Sequence, residues 1–239
     1  MVDLPEPSII ADLQGCYVVN KPGGLLTQGP PGIDSLELRI KHFIRTRDAK
    51  TGKVYLGVPH RLDRPASGVM VFAKNIRASR RLAAQFRERT IAKKYWAIVE
   101  GELSPGQGSL VDWMRKLPDE AKSEICDADH PDAQEAKLKF QVREGDAERT
   151  WVEIELETGR THQIRLQFSN LGHPILGDEL YGSKIKFGPE STDFRKRWIA
   201  LHARSIEFEH PMTKDRLVFD AEVWEDWRSV GFKIGSLVE

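Results

Sequence analysis

Two stretches of this chain leave its backbone little choice. AKLKFQV, Ala136 to Val142, and TWVEIELETG, Thr150 to Gly159, alternate apolar and polar residues, and a β-strand is the element that turns successive side chains to opposite faces. In the second stretch Val152, Ile154 and Leu156 point one way and Glu153, Glu155 and Glu157 the other. Around them the spacing predicts further elements. CYVVN, Cys16 to Asn20, reads as a short strand closed by the turn Lys21 to Gly24. Asp34 is placed to cap a helix through Arg45, with Leu36, Ile40, Phe43 and Ile44 on one side. The continuous apolar run Gly68 to Ala73 suits a buried strand, and Asn75 caps a basic helix whose Ile76, Leu82, Ala83 and Phe86 are expected to face the core.

Downstream, Lys93 to Gly101 is strand-like. The stretch RTHQIRLQFSNLGHP, from Arg160, predicts a short helix with Thr161 as N-cap, Ile164, Phe168 and Leu171 at helical spacing, and Gly172 at its end. Gly182 to Arg197 reads as loop with an ill-defined helix, and Ala200 to Pro211 with Arg216 to Val223 as a closing strand pair. Strands and helices interleave without regular βαβ spacing, so the expected class is α+β with a mixed sheet. No repeat, low-complexity tract or long Gly/Ser linker divides the 239 residues, which are enough for one large domain.

Composition excludes several classes. Apolar residues are 40% and charged residues 30% of the chain, and no apolar run approaches the length of a membrane span. The first 15 residues lack a basic and then apolar leader pattern. Cys16 and Cys126 are too few and too far apart for a disulfide framework or a metal knuckle, so a cytoplasmic setting is expected. Lys plus Arg and Asp plus Glu are 36 each, for a net charge of zero. The charges are nonetheless segregated. Lys74, Arg77, Arg80, Arg81, Arg87, Arg89, Lys93 and Lys94 are opposed between them only by Glu88, whereas acidic residues dominate from Asp119 to Glu157. Such asymmetry gives a local positive face suited to phosphate, or simply a solvated helix surface.

The knot His60-Arg61-Leu62-Asp63-Arg64 precedes the buried run. A cation on either side favours the ionised form of Asp63, which suits nucleophilic or electrostatic work; a structural ion pair at a strand entrance explains the same residues. A protein-kinase loop would need His-Arg-Asp with its Asn, a Gly-rich loop and Asp-Phe-Gly, all missing. No His-Glu-x-x-His, P-loop or Gly-x-Gly-x-x-Gly is present, so neither a metal nor a nucleotide cofactor is expected. The three glutamates of the alternating strand read as solvated surface, not as a catalytic pair.

Read together and in order, VVNKPGGLLTQ, PHRLDRPASGVMVFAKN, KKYWAIVEG, ETGRTHQIRLQFSNLGHPILGDELYG and LHARSIEFEHPMT resemble the RluA-type pseudouridine synthase family over roughly Cys16 to Ala221. The resemblance implies a single pseudouridine synthase catalytic domain, α+β, with a mixed, largely antiparallel central sheet flanked by helices and loops. It would span 16–239 after an N-terminal extension, 1–15, with no S4-type domain ahead of it. Carried over, the catalytic aspartate falls on Asp63, the ring that packs against the target base on Tyr95, and the basic residue that pairs with the catalytic carboxylate on Arg165. Arg61 falls where the family displaces the target nucleotide; His60, Arg64, Arg160, His162 and Gln163 are placed at the substrate cleft. Pro65-Ala66-Ser67-Gly68 departs from the family, which often has Thr before the Ser-Gly, and the acidic segment 119–135 looks like a surface insertion.

The implied reaction is isomerisation of uridine in ribosomal or transfer RNA, with no cofactor and a monomer as the expected state. A base must leave its stack before a protein group reaches it. Basic residues from Arg77 to Lys94 and near Arg39 to Lys53 are placed to hold phosphates. An inactive RNA-binding module and a protein-interaction domain are the competing classes; retention of Asp63, Tyr95 and Arg165 argues against the first, and a steep salt dependence of RNA affinity would separate the second.

Overall fold

A computed structural model describes residues 4–234 and divides them into two compact units that interleave in sequence: 4–92, 193–196 and 203–223 form the first, and 93–192, 197–202 and 224–234 the second. Strand β1 (Ser8–Leu13), strand β2 (Cys16–Lys21), helix α1 (Leu36–Arg47), strand β3 (Ser67–Ala73) and helix α2 (Ile76–Glu88) follow one another in the first unit. Next come β4 (Ala92–Glu100), β5 (Gln107–Lys116), β6 (Ser123–Ile125), β7 (Gln134–Gly145), β8 (Arg149–Leu156) and helix α3 (Gln163–Asn170), then β9 (Leu201–Glu209), β10 (Arg216–Asp220) and the single turn α4 (Glu225–Arg228). The class is α+β, and the named strand ladders are antiparallel.

In the first unit the order is β1-β2-β3-β9, with β10 beside β9. Every residue of β2 and β3 is buried, which is why neither shows the alternation of a half-exposed strand. Gly68 carries a positive φ of 120°, and a Cβ there would fall 2.4 Å from both N and O of Ala203, so β3 lies against β9 at a distance that only glycine permits. The segment read as an N-terminal extension supplies β1, which pairs with β2 through Leu13 and Cys16. Helix α1 begins one residue later than expected: Ser35, not Asp34, is the cap, its Oγ accepting from Leu38 N, while Asp34 holds Arg39 at 2.6 Å. In α2 the Asn75 cap is as expected, Oδ1 accepting from Ala78 N at 2.8 Å. The helix is rotated from the expected face. Ala78 and Leu82 are buried, Phe86 is half-buried, and Ile76 and Ala83 are exposed.

The second unit is a sheet of order β4-β8-β7-β5-β6. The predicted alternation holds: Val152 and Ile154 are buried, while Glu153 and Glu155 turn to the other face. Helix α3 covers the apolar face, Phe168 meeting Phe140 edge-on at 5.7 Å. Thr161 is not its cap. His162 takes that place in the left-handed region, with φ of 58° and no side-chain cap bond, and Gln163 does the tying instead. Its Oε1 accepts from Arg160 N and Thr158 Oγ1, and its Nε2 donates to Lys137 O at 3.0 Å. The helix stops before Gly172, φ 88°, as predicted, but Leu171 lies beyond the last turn and is 43% exposed. The loop from Gly182 holds only a three-residue turn, Phe194–Lys196.

Candidate active site

The nine candidate residues are distributed over both units. His60, Arg61, Asp63 and Arg64 belong to the first; Tyr95, Arg160, His162, Gln163 and Arg165 belong to the second.

In the first unit the backbone around Asp63 is fixed from both sides by the last residue of β2 and the loop that joins it to α1. On one side Thr27 Oγ1 donates to Leu62 O at 3.0 Å and accepts from Leu62 N at 3.2 Å. On the other, Lys21 Nζ donates to Arg64 O at 3.1 Å, and also to Leu25 O at 2.8 Å and Pro22 O at 3.0 Å. Ala66 N then donates to Asp63 O, closing a turn. His60 accepts the Val71 N–H on Nε2, which leaves its proton on Nδ1, and its ring stacks on Phe86 of α2 at 4.4 Å. Arg61 is exposed; Asp63 and Arg64 are half-buried.

Lys21 and Thr27 have no place among the sequence candidates. A lysine opening a KPGG turn reads as surface, yet Lys21 is fully buried, and three carbonyl oxygens match the three donors of an ammonium. Burial pushes its pKa down to about 7 from 10.5, against the opposing pull of the Asp63 charge. Below about pH 7 the folded and unfolded chains both carry the proton, and the cost of burying the charge is present in full. Between 7 and 10.5 the unfolded chain binds a proton that the folded one has released. Stability from this group therefore rises with pH through that window, by up to about 1.4 kcal/mol per pH unit. Lys21→Met is expected to lower stability and to remove this slope. Urea unfolding at pH 6 and pH 9 checks it, and an identical pH slope in the two proteins would show that Lys21 keeps its proton throughout.

In the second unit Arg165 is buried on α3 and forms a two-pronged pair with Asp178, Nε to Oδ2 at 2.6 Å and Nη2 to Oδ1 at 2.8 Å. The fork of the guanidinium is thus engaged by Asp178, a partner without a role in the sequence reading. The Arg165 guanidinium carbon lies 5.0 Å from the centre of the Tyr181 ring. The Tyr181 hydroxyl accepts from Ser123 N at 2.9 Å and lies 2.9 Å from His162 Nδ1. Ser123 Oγ donates to Thr161 O, and Arg160 Nε donates to Glu135 O. The acidic segment 119–135, read as a surface insertion, therefore contributes β6 and braces the entry of α3. The GDELYG run supplied a signal for Asp178 and Tyr181, a carboxylate and an aromatic beside an apolar stretch, but nothing in it named Arg165 as their partner.

Tyr95 is buried in β4 opposite Ile154. Ile154 in turn faces Phe140, so Tyr95 projects from the sheet face that α3 covers. On the other face Glu153 accepts from Trp96 Nε1 and pairs with Arg143 at 2.7 Å, and Glu157 pairs with Lys139 at 3.1 Å. That face is a row of ion pairs, in agreement with its reading as surface. Among the described residues no group of three His, Cys, Asp or Glu side chains could hold a metal ion, and no helix is long and apolar enough to cross a membrane.

A family model described as RNA pseudouridylate synthase matches residues 15–170. Ribosomal large subunit pseudouridine synthase D of Xylella fastidiosa is 34% identical over 234 residues, covering 94% of this chain and 68% of that protein. The Xanthomonas campestris protein of the same description is 35% identical over 218 residues, 87% of this chain and 63% of its own length. The chain thus spans about two thirds of the length of these relatives. Among solved structures, human RNA pseudouridylate synthase domain containing 4 aligns with a TM-score of 0.74 at 24% identity, over 91% of this chain and 89% of that one, a likeness of fold.

Proposed function

The chain belongs to the RNA pseudouridylate synthase family and is an RNA pseudouridine synthase, an isomerase; on that premise we propose that it converts uridines of large-subunit ribosomal RNA, with Asp63 as the catalytic group. The observation that carries the assignment of Asp63 is the double anchorage of its backbone, by Thr27 on one side and the buried Lys21 on the other. A surface ion pair does not need a fully buried cation beneath it, whereas a reacting carboxylate gains from being held in one geometry before substrate arrives.

The reaction breaks the bond between uracil N1 and ribose C1′, turns the base and joins C5 to C1′; C5 loses a proton and N1 gains one, so atoms balance without a co-reactant. An ionised carboxylate serves whether it adds to ribose C1′, adds to uracil C6 or removes a ribose proton. Arg165 supplies a positive charge to the reaction, its own orientation set by Asp178 and Tyr181. Tyr95 supplies the flat apolar face for the uracil ring. The target nucleotide leaves its stack, at a cost of a few kcal/mol, and Arg61, exposed on the Asp63 loop, takes part in displacing it. His60, Arg64, Arg160, His162 and Gln163 take part in binding the RNA. The protein acts as a monomer in the cytoplasm, on RNA, without a nucleotide cofactor.

The test is incubation of the purified protein with ribosomal RNA and transfer RNA lacking pseudouridine, followed by site mapping. Conversion of specific uridines in the large-subunit RNA is the expected result. Conversion confined to transfer RNA would overturn the substrate, and conversion of neither would overturn the reading.

A further inference from the structure

We propose that the outer face of α2, through Arg77, Arg80 and Arg87, is a rail for the phosphate backbone of the RNA that flanks the target uridine; this rests on the RNA-modifying reading above. Eight basic residues run from Lys74 to Lys94 in the sequence, and the fold takes several out of play. Lys74 is tied to Asp12 and sits over the Tyr17 ring at 4.1 Å. Lys94 lies 3.7 Å from both Glu153 and Glu155. Arg81 turns inward, Nη1 donating to Pro211 O at 2.5 Å.

Arg89 is the left-handed C-cap and Lys93 lies in β4, so within α2 Arg77, Arg80 and Arg87 are left as a row whose direction is locked. Ala78 and Leu82 are fully buried. Gln85 makes a two-way bond with the Glu209 backbone, Nε2 to O and N to Oε1, each 2.8 Å. Phe86 stacks on His60. With positions 78, 81, 82, 85 and 86 all committed to one side, the opposite side presents Arg77, Arg80 and Arg87, all exposed, with the small residues Ala83 and Ala84 between them. At a rise of 1.5 Å per residue the row is about 15 Å long, and alanines between the cations let a backbone approach closely.

Nothing among the described residues accounts for the row. Among the described residues Arg77 and Arg80 make no ion pair, and Arg87 has only its neighbour Glu88, 3.4 Å away and itself exposed. Like charges three residues apart repel, and cations in the first turn oppose the helix dipole. α2 has no acidic residue in that turn. A polyanion relieves both penalties. The partner is RNA because α2 is coupled to the Asp63 loop through the Phe86–His60 stack, so a phosphate strand on this face lies along the element that supports the reacting residue.

The experiment compares the wild type with R77Q/R80Q/R87Q and with R77K/R80K/R87K, titrating a short uridine-containing RNA hairpin across salt concentrations and measuring turnover at saturating RNA. Glutamine keeps helix length and propensity, and circular dichroism verifies the fold. The glutamine variant is expected to bind at least about 10-fold more weakly at moderate salt, with the slope of log affinity against log salt reduced by about 2 to 3 and turnover at saturation unchanged. The lysine variant is expected to recover most of the affinity, since a point charge suffices for a phosphate. Unchanged affinity and slope in the glutamine variant would overturn the inference, as would a loss of poly-glutamate binding without a loss of RNA binding, which would assign the face to an acidic protein. Wild type that isomerises uridine while the glutamine variant binds normally sinks the rail alone. A variant that loses RNA binding in a protein that never isomerises uridine sinks the reading of the reaction alone.

Discussion

Asp63→Asn is expected to lower conversion of uridine to pseudouridine by at least ~10³-fold while leaving RNA affinity within a few-fold of the wild type. The substitution keeps the shape of the side chain and removes its charge. The bonds from Thr27 and Lys21 reach the backbone of Leu62 and Arg64, so they survive the change. Removing the negative charge also removes the pull that holds the Lys21 pKa up, so the Lys21 transition is expected to move to lower pH. That shift is a second readout, independent of RNA: it shows that the charge near Lys21 has gone and that the fold still buries the lysine. Single-turnover assays with excess enzyme separate the chemical step from binding. Turnover retained within 10-fold, with the unfolding transition intact, would return Asp63 to the role of a structural ion pair.

The elements whose cause is local were legible in the sequence. Alternation placed β8 and much of β7, and the Asn75 cap placed the start of α2, because each depends on residues within one turn or one strand. Errors arose where a distant backbone decides. Asp34 and Ser35 are both good caps, and the choice between them follows from Leu36 N and Glu37 N donating to Leu26 O and Thr27 O, a contact that no local pattern announces. The rotation of α2 departs from its apolar pattern because two polar side chains, Arg81 and Gln85, turn inward to the 209–211 backbone, so apolar periodicity alone points to the wrong face. β5, with Gly108, Ser109 and Asp112 inside it, shows no clean period and went unassigned. The candidate site divides in the same manner. Asp63, Tyr95 and Arg165 are candidates through the order of motifs along the chain. Lys21 and Asp178 are not, since a buried charge is recognisable only from partners that the fold supplies: carbonyl oxygens as far away as Arg64 for one, and a guanidinium 13 residues upstream for the other.

That second buried charge carries the largest expected effect on stability. Asp178→Asn takes the two-pronged charged partner from the buried Arg165 guanidinium, and the expected loss is ~3–5 kcal/mol, the typical cost of breaking a buried ion pair from one side. Both side chains are almost wholly excluded from water, at 5% and 1% exposure, so solvent screening offers little relief. A neutral partner of both charges behaves differently. R165M/D178L removes the pair together and is expected to recover ~1–4 kcal/mol relative to Asp178→Asn, since replacing a buried ion pair by apolar side chains is often neutral or stabilising. Activity is expected to part from stability in that double variant, which folds well and converts no uridine. Urea unfolding of the wild type, the single and the double variants, each paired with a conversion assay, reads both quantities. Should Asp178→Asn prove as stable as the wild type, the two-pronged pair would not be what holds Arg165. Should the double variant keep its activity, Arg165 would have no part in the reaction, and the fork on Asp178 would be architecture alone.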